Sequence, residues 1–155
     1  MTVVRTFPPR IYLDTSVIGG CLDKEFADDS VALLAMARRG NATLLVSDLM
    51  LEELAPAPAL VRRVLTELPT DCAERLVSSA ESRDLQRAYL AARVVGPARA
   101  NDAHHVAIAT LARGDVIASW NFKHIVHWGK IRAFNAVNLR LGLPSIDIRS
   151  PREIV

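Results

Sequence analysis

Three acidic residues occur where a binding site for a hard metal ion would need them. Asp14 directly follows a short apolar run, and Glu53 lies six residues after Ser47, which ends a second apolar run. Asp102 stands at the start of a segment with helical apolar spacing. Converging carboxylates repel one another unless a cation neutralises them, and such hard ligands select Mg²⁺ or Mn²⁺. The three acids therefore predict a divalent-cation site.

Each of these acids also has a structural explanation. Asp14 and Asp102 are both suitable helix N-caps, because an aspartate side chain accepts a hydrogen bond from a backbone amide at the start of a helix. Glu53 follows Glu52 on a predicted helix, where a single glutamate usually faces solvent. The prediction of a metal site depends on the three acids together, since three acids placed in this way for structural reasons alone are less common than one.

Polar and basic residues near these acids are candidates for contact with a substrate. Asn121 belongs to the polar stretch after a further apolar run, and His105 shares a helical face with Asp102 because it lies three residues later. An isolated histidine beside an apolar stripe is, however, more often structural. Four basic residues form a modest cluster in the sequence: Lys123, Lys130, Arg132 and Arg140. For Lys123 and the others, phosphate contact and a solvated surface are the two alternatives.

Short apolar strands alternate with helices along the chain and must position these residues. Strands are predicted at 11–13, 43–46, 75–77, 116–118 and 146–148. Helices are predicted at 31–37, 49–54, 60–68, 80–95 and 131–141, with another that begins at Asn101 or Asp102. This alternation predicts a parallel sheet with helices on both faces. In such sheets the ligand site lies beyond the carboxyl ends of the strands, which is where the acids fall.

Composition limits the class of protein more than its function. The 155 residues fit one domain, and half of them are apolar, which is enough for a sizeable core. A net charge of +2 permits a nucleic-acid partner without requiring one. Cys21 and Cys72 lie in no zinc-binding pattern. Because residues 1–10 lack a signal-peptide core and no apolar run reaches membrane-spanning length, we expect a cytoplasmic protein with no membrane association.

Three segments resemble the motifs of the PIN-domain family. The segment IYLDTSVIGG at 11–20 is similar to the first motif, an apolar strand followed by Asp-Thr-Ser. The segment LLVSDLMLEEL at 44–54 resembles the second, in which the acid lies six residues after a serine, and this spacing selects Glu53 over Glu52. The segment NDAHHVAIATLARGDVIASWNFKHI at 101–125 is similar to the third and fourth motifs. The resemblance covers most of the chain in order and spacing.

The resemblance implies a fold, an activity and partners. It implies a single domain at 1–155 with a PIN-like three-layer sandwich, in which a five-stranded parallel sheet has helices on both faces. It implies metal-dependent hydrolysis of RNA, with the metal held by Asp14, Glu53 and Asp102. Stand-alone members of this size are often toxins of the VapC type in toxin–antitoxin pairs, so an antitoxin protein and a homodimer are the expected partners.

The expected reaction is attack of an activated water on the phosphorus, with one Mg²⁺ or Mn²⁺ or two about 4 Å apart. Asn121 is expected to orient that water, so Asn121 joins the three acids as a catalytic candidate. Ser16 matches a small polar residue near the metal in the family. Ser119, His105 and Lys123 are the other candidates for substrate contact.

One departure from the family pattern leaves alternatives open. Many members have a fourth acid after the fourth strand, whereas residues 119–124 contain no carboxylate and His124 stands where some members have Asp. This difference favours a rival in which the chain binds RNA or a protein without cutting. A phosphatase that uses Asp14 as its nucleophile is a weaker rival, because the second Asp expected two residues later is replaced by Ser16.

Overall fold

The computed structural model describes residues 7–155, so most of the N-terminal segment assessed for a signal peptide lies outside it. Five strands form one sheet: β1 (Arg10–Leu13), β2 (Thr43–Ser47), β3 (Ala73–Leu76), β4 (Val116–Ala118) and β5 (Asp147–Arg149). Their order across the sheet is β3-β2-β1-β4-β5, and every neighbouring pair is parallel. The predicted five-stranded parallel sheet is confirmed.

Eight α-helices connect and follow these strands: α1 (Thr15–Gly20), α2 (Ala27–Arg38), α3 (Asp48–Leu54), α4 (Ala59–Thr66), α5 (Ala80–Ala91), α6 (Ala100–Leu111), α7 (Trp128–Arg140) and α8 (Pro151–Ile154). Short 3₁₀ turns at Thr70–Cys72 and Pro97–Arg99 precede β3 and α6. These counts refer to residues 7–155.

Side chains of alternate residues in β1 point into two different hydrophobic cores. Tyr12 belongs to a core that includes residues of α5, α6 and α7. Ile11 and Leu13 belong to a second core that includes residues of α1, α2 and α3. Because successive strand residues point to opposite faces of a sheet, the two cores lie on its two sides. The sheet is therefore covered by helices on both faces, as predicted.

Several predicted helix ends were wrong by a few residues. The helix predicted at 80–95 ends at Ala91, because Arg93 adopts a left-handed conformation with φ of 57° that closes it. The next helix begins at Ala100, so Asp102 lies in its first turn and is not its N-cap. The helix α8 was not predicted. It begins with Pro151 after Ser150 and is too short to show periodicity.

The structure also bears on the expectations for membrane association and for the two cysteines. Within residues 7–155, no helix combines the length and the apolar character that crossing a membrane requires. Cys21 and Cys72 are both buried free thiols.

Candidate active site

Asp14 lies where the two central strands end side by side. Leu13 of β1 pairs with Ala118 of β4, so Asp14 and Ser119 leave the same edge of the sheet together. The Asp14 amide still donates to the Ala118 carbonyl at 3.0 Å, which fixes the backbone at this edge. The Ser16 and Ser119 hydroxyls donate to one oxygen of Asp14 at 2.7 Å and 2.8 Å. The carboxylate of Asp14 is nearly buried, and the two hydroxyls hold it in one orientation.

Asp102 reaches the same edge from the first turn of α6. The Asn121 amide group approaches its carboxylate at 3.4 Å, and the Asn121 carbonyl in turn accepts from the His124 backbone amide at 3.0 Å. Burial raises the pKa of Asp102, and the negative charge of Asp14 raises it further. Asp14 and Asp102 line one cleft, so their negative charges repel each other.

Glu53 projects from α3 into the same cleft. Thr15 donates a hydrogen bond to its carboxylate at 3.0 Å, and the imidazole of His105 binds the same oxygen. Although partial burial alone would raise the pKa of Glu53, these two partners lower it below its usual value. Thr15 and His105 therefore stabilise Glu53 in its charged form.

His105 is buried beneath the acids and is oriented by a hydrogen-bond chain from the core. The Tyr12 hydroxyl lies 2.6 Å from Nδ1 of His105 and 2.7 Å from the Ser47 hydroxyl. The other ring nitrogen faces Glu53 and lies 3.7 Å from a carboxylate oxygen of Asp14. Burial alone would lower the pKa of His105, but these carboxylates raise it overall. Burial raises the pKa of the Tyr12 phenol far above its usual value, so Tyr12 stays protonated.

An open cleft of about 480 Å³ exposes the three acids to solvent. Its lining consists of Asp14, Thr15, Ser16, Gly19, Gly20, Asp23, Phe26, Glu53, Asp102, Trp120 and Asn121. One wall is aromatic, because the rings of Phe26 and Trp120 stack with their centroids 4.3 Å apart. A cleft with several carboxylates on its floor and an aromatic wall suits a ligand that combines phosphate, through a cation, with planar bases.

The structure brings most of the predicted site residues together. Five of them line the cleft: Asp14, Ser16, Glu53, Asp102 and Asn121. Ser119 and His105 are buried behind the cleft and bind acids there, so their observed contacts are with protein groups. Lys123 is exposed and does not line the cleft. The roles of all eight residues remain predictions, but Ser119 and His105 are placed to position acids.

Several residues of the site were not predicted from the sequence. Thr15 belongs to the Asp-Thr-Ser segment, so this motif could have indicated that Thr15 lies in the site. Its hydroxyl binds Glu53. Asp23 and Phe26 line the cleft from the turn before α2, and no motif indicated them. Tyr12 looked like an ordinary strand residue, and only the fold shows that its hydroxyl reaches His105.

The donor chemistry of the cleft fits a hard divalent cation, although its present arrangement does not enclose one. Asp14, Asp102 and Glu53 are carboxylates that face one open space, and Mg²⁺ and Mn²⁺ prefer such oxygen ligands. Across the described part of the chain, no three His, Cys, Asp or Glu side chains are grouped closely enough to surround a metal ion. The contact between Glu53 and His105 is consistent with this, because it engages one of the three carboxylates.

Comparison with known proteins shows the fold but not the family. No protein-family model matches the chain, and no curated protein is significantly similar to it. A chain of the crystal structure of VapBC2 from Rickettsia felis, bound to a DNA fragment from their promoter, is similar with a TM-score of 0.58 and 17% sequence identity. The similarity covers 91% of this chain and 98% of that chain. The predicted PIN-like α/β fold is confirmed, and at this identity nothing finer follows.

Proposed function

We propose that this protein is a Mg²⁺- or Mn²⁺-dependent endoribonuclease that hydrolyses RNA phosphodiester bonds. The observation that carries the proposal is that Asp14, Glu53 and Asp102 come from three different elements and meet in one open cleft at the carboxyl edge of the sheet. Carboxylates in such proximity are costly for a fold unless a cation uses them. The motif order in the sequence supports the choice of RNA.

Each acid has its own positioning partners in this proposal. Ser16 and Ser119 fix Asp14, and Asn121 contacts Asp102, so these two carboxylates are oriented before a cation binds. A bound divalent cation would supply an activated water and neutralise charge that develops at the phosphate. Hydrolysis would add one water across a P–O bond and release two shorter RNA chains.

Glu53 is the acid whose surroundings must change. It now binds His105, and it would exchange that partner for the cation when the metal site is filled. Released from Glu53, His105 keeps its second contact with Tyr12 and therefore its orientation. The imidazole faces both Glu53 and Asp14, and the pKa of His105 is raised by these carboxylates, so a protonated His105 would limit their mutual repulsion when no metal is bound.

The biological setting that we propose is a type II toxin–antitoxin pair, with this chain as the toxin and a cytoplasmic location. The similarity to a chain of the VapBC2 structure supports this setting through the shared fold. An antitoxin protein would then bind and silence the nuclease, and a homodimer is the expected assembly. A neighbouring gene whose product abolishes RNA cutting on co-expression would support the pair.

A second candidate function is a PIN-fold module that binds RNA or protein without cutting it. Two observations favour it: residues 119–124 supply no carboxylate, and Glu53 is engaged by His105. Such a module would bind its ligand equally well with and without divalent cation.

Titration of Mn²⁺ by calorimetry into the wild type, Asp14→Asn and Asp115→Asn separates the two candidates. Asp115 is a suitable control because its carboxylate binds the Arg10 amide at the amino end of β1, away from the cleft. We expect saturable binding in the wild type and in Asp115→Asn and a large loss in Asp14→Asn. Equal binding by all three variants, or RNA cleavage that survives both Asp14→Asn and EDTA, would contradict the metal mechanism.

A further inference from the structure

An exposed tryptophan lies at the start of α7, beyond the cleft. Trp128 is 74% exposed, which is unusual because tryptophan normally buries most of its large apolar surface. Phe122, earlier in the connection from β4, is 49% exposed. An exposed indole of this kind provides a flat face on which a planar group can stack.

The region around Trp128 is positively charged. Between Asp115 and Asp147 the chain has four Lys or Arg residues and no acidic residue. Arg132 lies one helical turn after Trp128, and its guanidinium carbon is 4.6 Å from the centroid of the indole ring. The arginine thus covers one face of the ring by a cation–π contact and keeps its charge near the exposed part.

Two acidic residues close to Trp128 share one basic partner. Asp147 and Glu153 line a shallow depression of about 260 Å³ beside the tryptophan, together with Arg149. Arg149 binds both carboxylates, at 3.1 Å and 3.2 Å. One guanidinium offsets one of these two negative charges, and Arg132 on the indole offsets the other, so the surroundings of Trp128 carry no net negative charge.

The exposed aromatic residues lie at the sheet edge that carries the cleft, because the Ser119 amide donates to the Arg149 carbonyl at 3.0 Å and Arg149 lines the depression beside Trp128. The segment from Asn121 to Trp128 spans at most about 25 Å, given about 3.5 Å for each extended residue. At its start, the ring of Phe122 packs edge-on against Trp120, which forms the aromatic wall of the cleft. A single strand that leaves the cleft past Trp120 is therefore within reach of Phe122 and Trp128.

We propose that Trp128 and Arg132 form a stacking platform for single-stranded RNA that flanks the cleft. A base stacks on the indole while the guanidinium contacts a neighbouring phosphate, which is how sequence-tolerant single-strand binding commonly works. The proposal rests on the proposed function for its choice of RNA as ligand. It assigns a substrate-length preference to the enzyme, since only RNA longer than the cleft reaches the platform.

The test is RNA binding with Ca²⁺ in place of Mg²⁺ or Mn²⁺, so that the carboxylates of the cleft stay neutralised. Binding is measured by anisotropy of end-labelled single-stranded RNA, and a gel confirms that the RNA is intact. One RNA is long enough to extend from the cleft to Trp128, and the other covers the cleft alone. The variants are Trp128→Ala, Trp128→Phe and Arg132→Ala. Leu139→Ala, an exposed residue on the same helix, and Arg39→Ala, which follows a helix on the opposite face of the sheet, are the matched controls.

We expect Trp128→Ala to weaken binding of the long RNA about tenfold and leave the short RNA unchanged, as loss of one stacked base would. Trp128→Phe should restore most of the affinity. Arg132→Ala should weaken binding of the long RNA and make the dependence of log affinity on log salt shallower by about 0.7. Both controls should bind like the wild type.

Two results would overturn the platform: no binding of the long RNA by the wild type, or equal binding by the wild type and Trp128→Ala. The second would leave the surface to a protein partner. The proposed function fails separately, through absence of metal-dependent cleavage. RNA binding that depends on Trp128, without any cleavage, would support the platform and contradict the nuclease. Cleavage by a protein whose RNA binding does not depend on Trp128 would support the nuclease and contradict the platform.

Discussion

Asp14 is held by two serine hydroxyls that reach it from very different distances along the chain. Ser16 is two residues away and Ser119 is 105 residues away, yet both donate to the same carboxylate oxygen. The sequence indicated Asp14 and Ser16 together as site residues because they belong to one local motif. It indicated Ser119 only as a polar residue after a strand, and the strand pairing turned it into a partner of Asp14.

The interaction between His105 and Glu53 could not be predicted from spacing alone. The spacing of three residues places His105 on the same helical face as Asp102, but it does not indicate the partners of His105. Its actual partners, Tyr12 and Glu53, come from β1 and α3, and no local pattern links these elements. Long-range contacts of this kind depend on how helices pack on the sheet.

Exchange of Glu53 for glutamine tests whether the family spacing selected the correct member of the Glu52–Glu53 pair. Glu53→Gln retains the shape of the side chain but removes the charge that a cation would use. We expect a loss of Mn²⁺ affinity and of RNA cleavage of at least about tenfold, the size seen when a supporting group of a metal site is removed. Glu52→Gln is the matched control, because Glu52 is exposed and absent from the cleft lining. Equal losses in both variants would contradict the assignment.

At the scale of elements, the existence of each strand and long helix was easier to predict than its ends. All five strands lie within two residues of their predicted positions because short apolar runs between polar residues have few alternatives. The predicted end of α5 was wrong because apolar residues continue past Ala91, at Ala92, Val94 and Val95, whereas the chain turns at Arg93. Propensity therefore extended a helix that tertiary packing ends earlier.

The short helix α1 passes very close to the aromatic wall of the cleft, at Gly20. A methyl group on Gly20 would lie 2.7 Å from the Ser30 hydroxyl and 2.8 Å from the indole nitrogen of Trp120. These two groups are themselves joined by a 2.8 Å hydrogen bond. The glycine thus lets Trp120 and Ser30 meet against the helix.

Gly20→Ala should lower the free energy of unfolding by about 1–3 kcal/mol, because the added methyl group forces Trp120 and Ser30 apart. Gly19→Ala is the control, since a methyl group at Gly19 meets nothing within 4 Å. It should be neutral or stabilise the protein by up to about 1 kcal/mol through helix propensity. Urea unfolding of the two variants measures the difference. A Gly20→Ala variant as stable as Gly19→Ala would show that the wall of the cleft is not packed as described.

At the scale of the whole molecule, the layer arrangement followed from alternation of strands and helices, and the position of the site followed from the parallel sheet. The order β3-β2-β1-β4-β5 reverses direction at β1, so the chain crosses to the other half of the sheet between β3 and β4. Asp14 and Ser119 leave β1 and β4 at that crossing, where open parallel sheets place their ligands. The lining beyond the motifs, including Asp23 and Phe26, depends on turn conformations that sequence patterns do not determine.

The near balance of charge over the whole chain also has a functional consequence. With nineteen basic and seventeen acidic residues, the protein has no general excess of positive charge to attract RNA. Under the proposed function, recognition of RNA would then come from local features, namely a cation in the cleft and the basic segment between Asp115 and Asp147. Removal of divalent cation is therefore expected to affect this protein more than it would a strongly basic nuclease.

The most direct measurement of the central claim is cleavage of a mixed RNA pool by the purified protein with Mn²⁺, compared with Asp102→Ala prepared in the same way. Asp102 lines the cleft from α6 and is in contact with Asn121, so its removal takes one carboxylate from the site. We predict that the wild type cuts RNA, that EDTA stops it, and that Asp102→Ala does not cut although it remains folded. Equal cutting by both proteins, or none by a folded and metal-loaded wild type, would contradict the nuclease assignment.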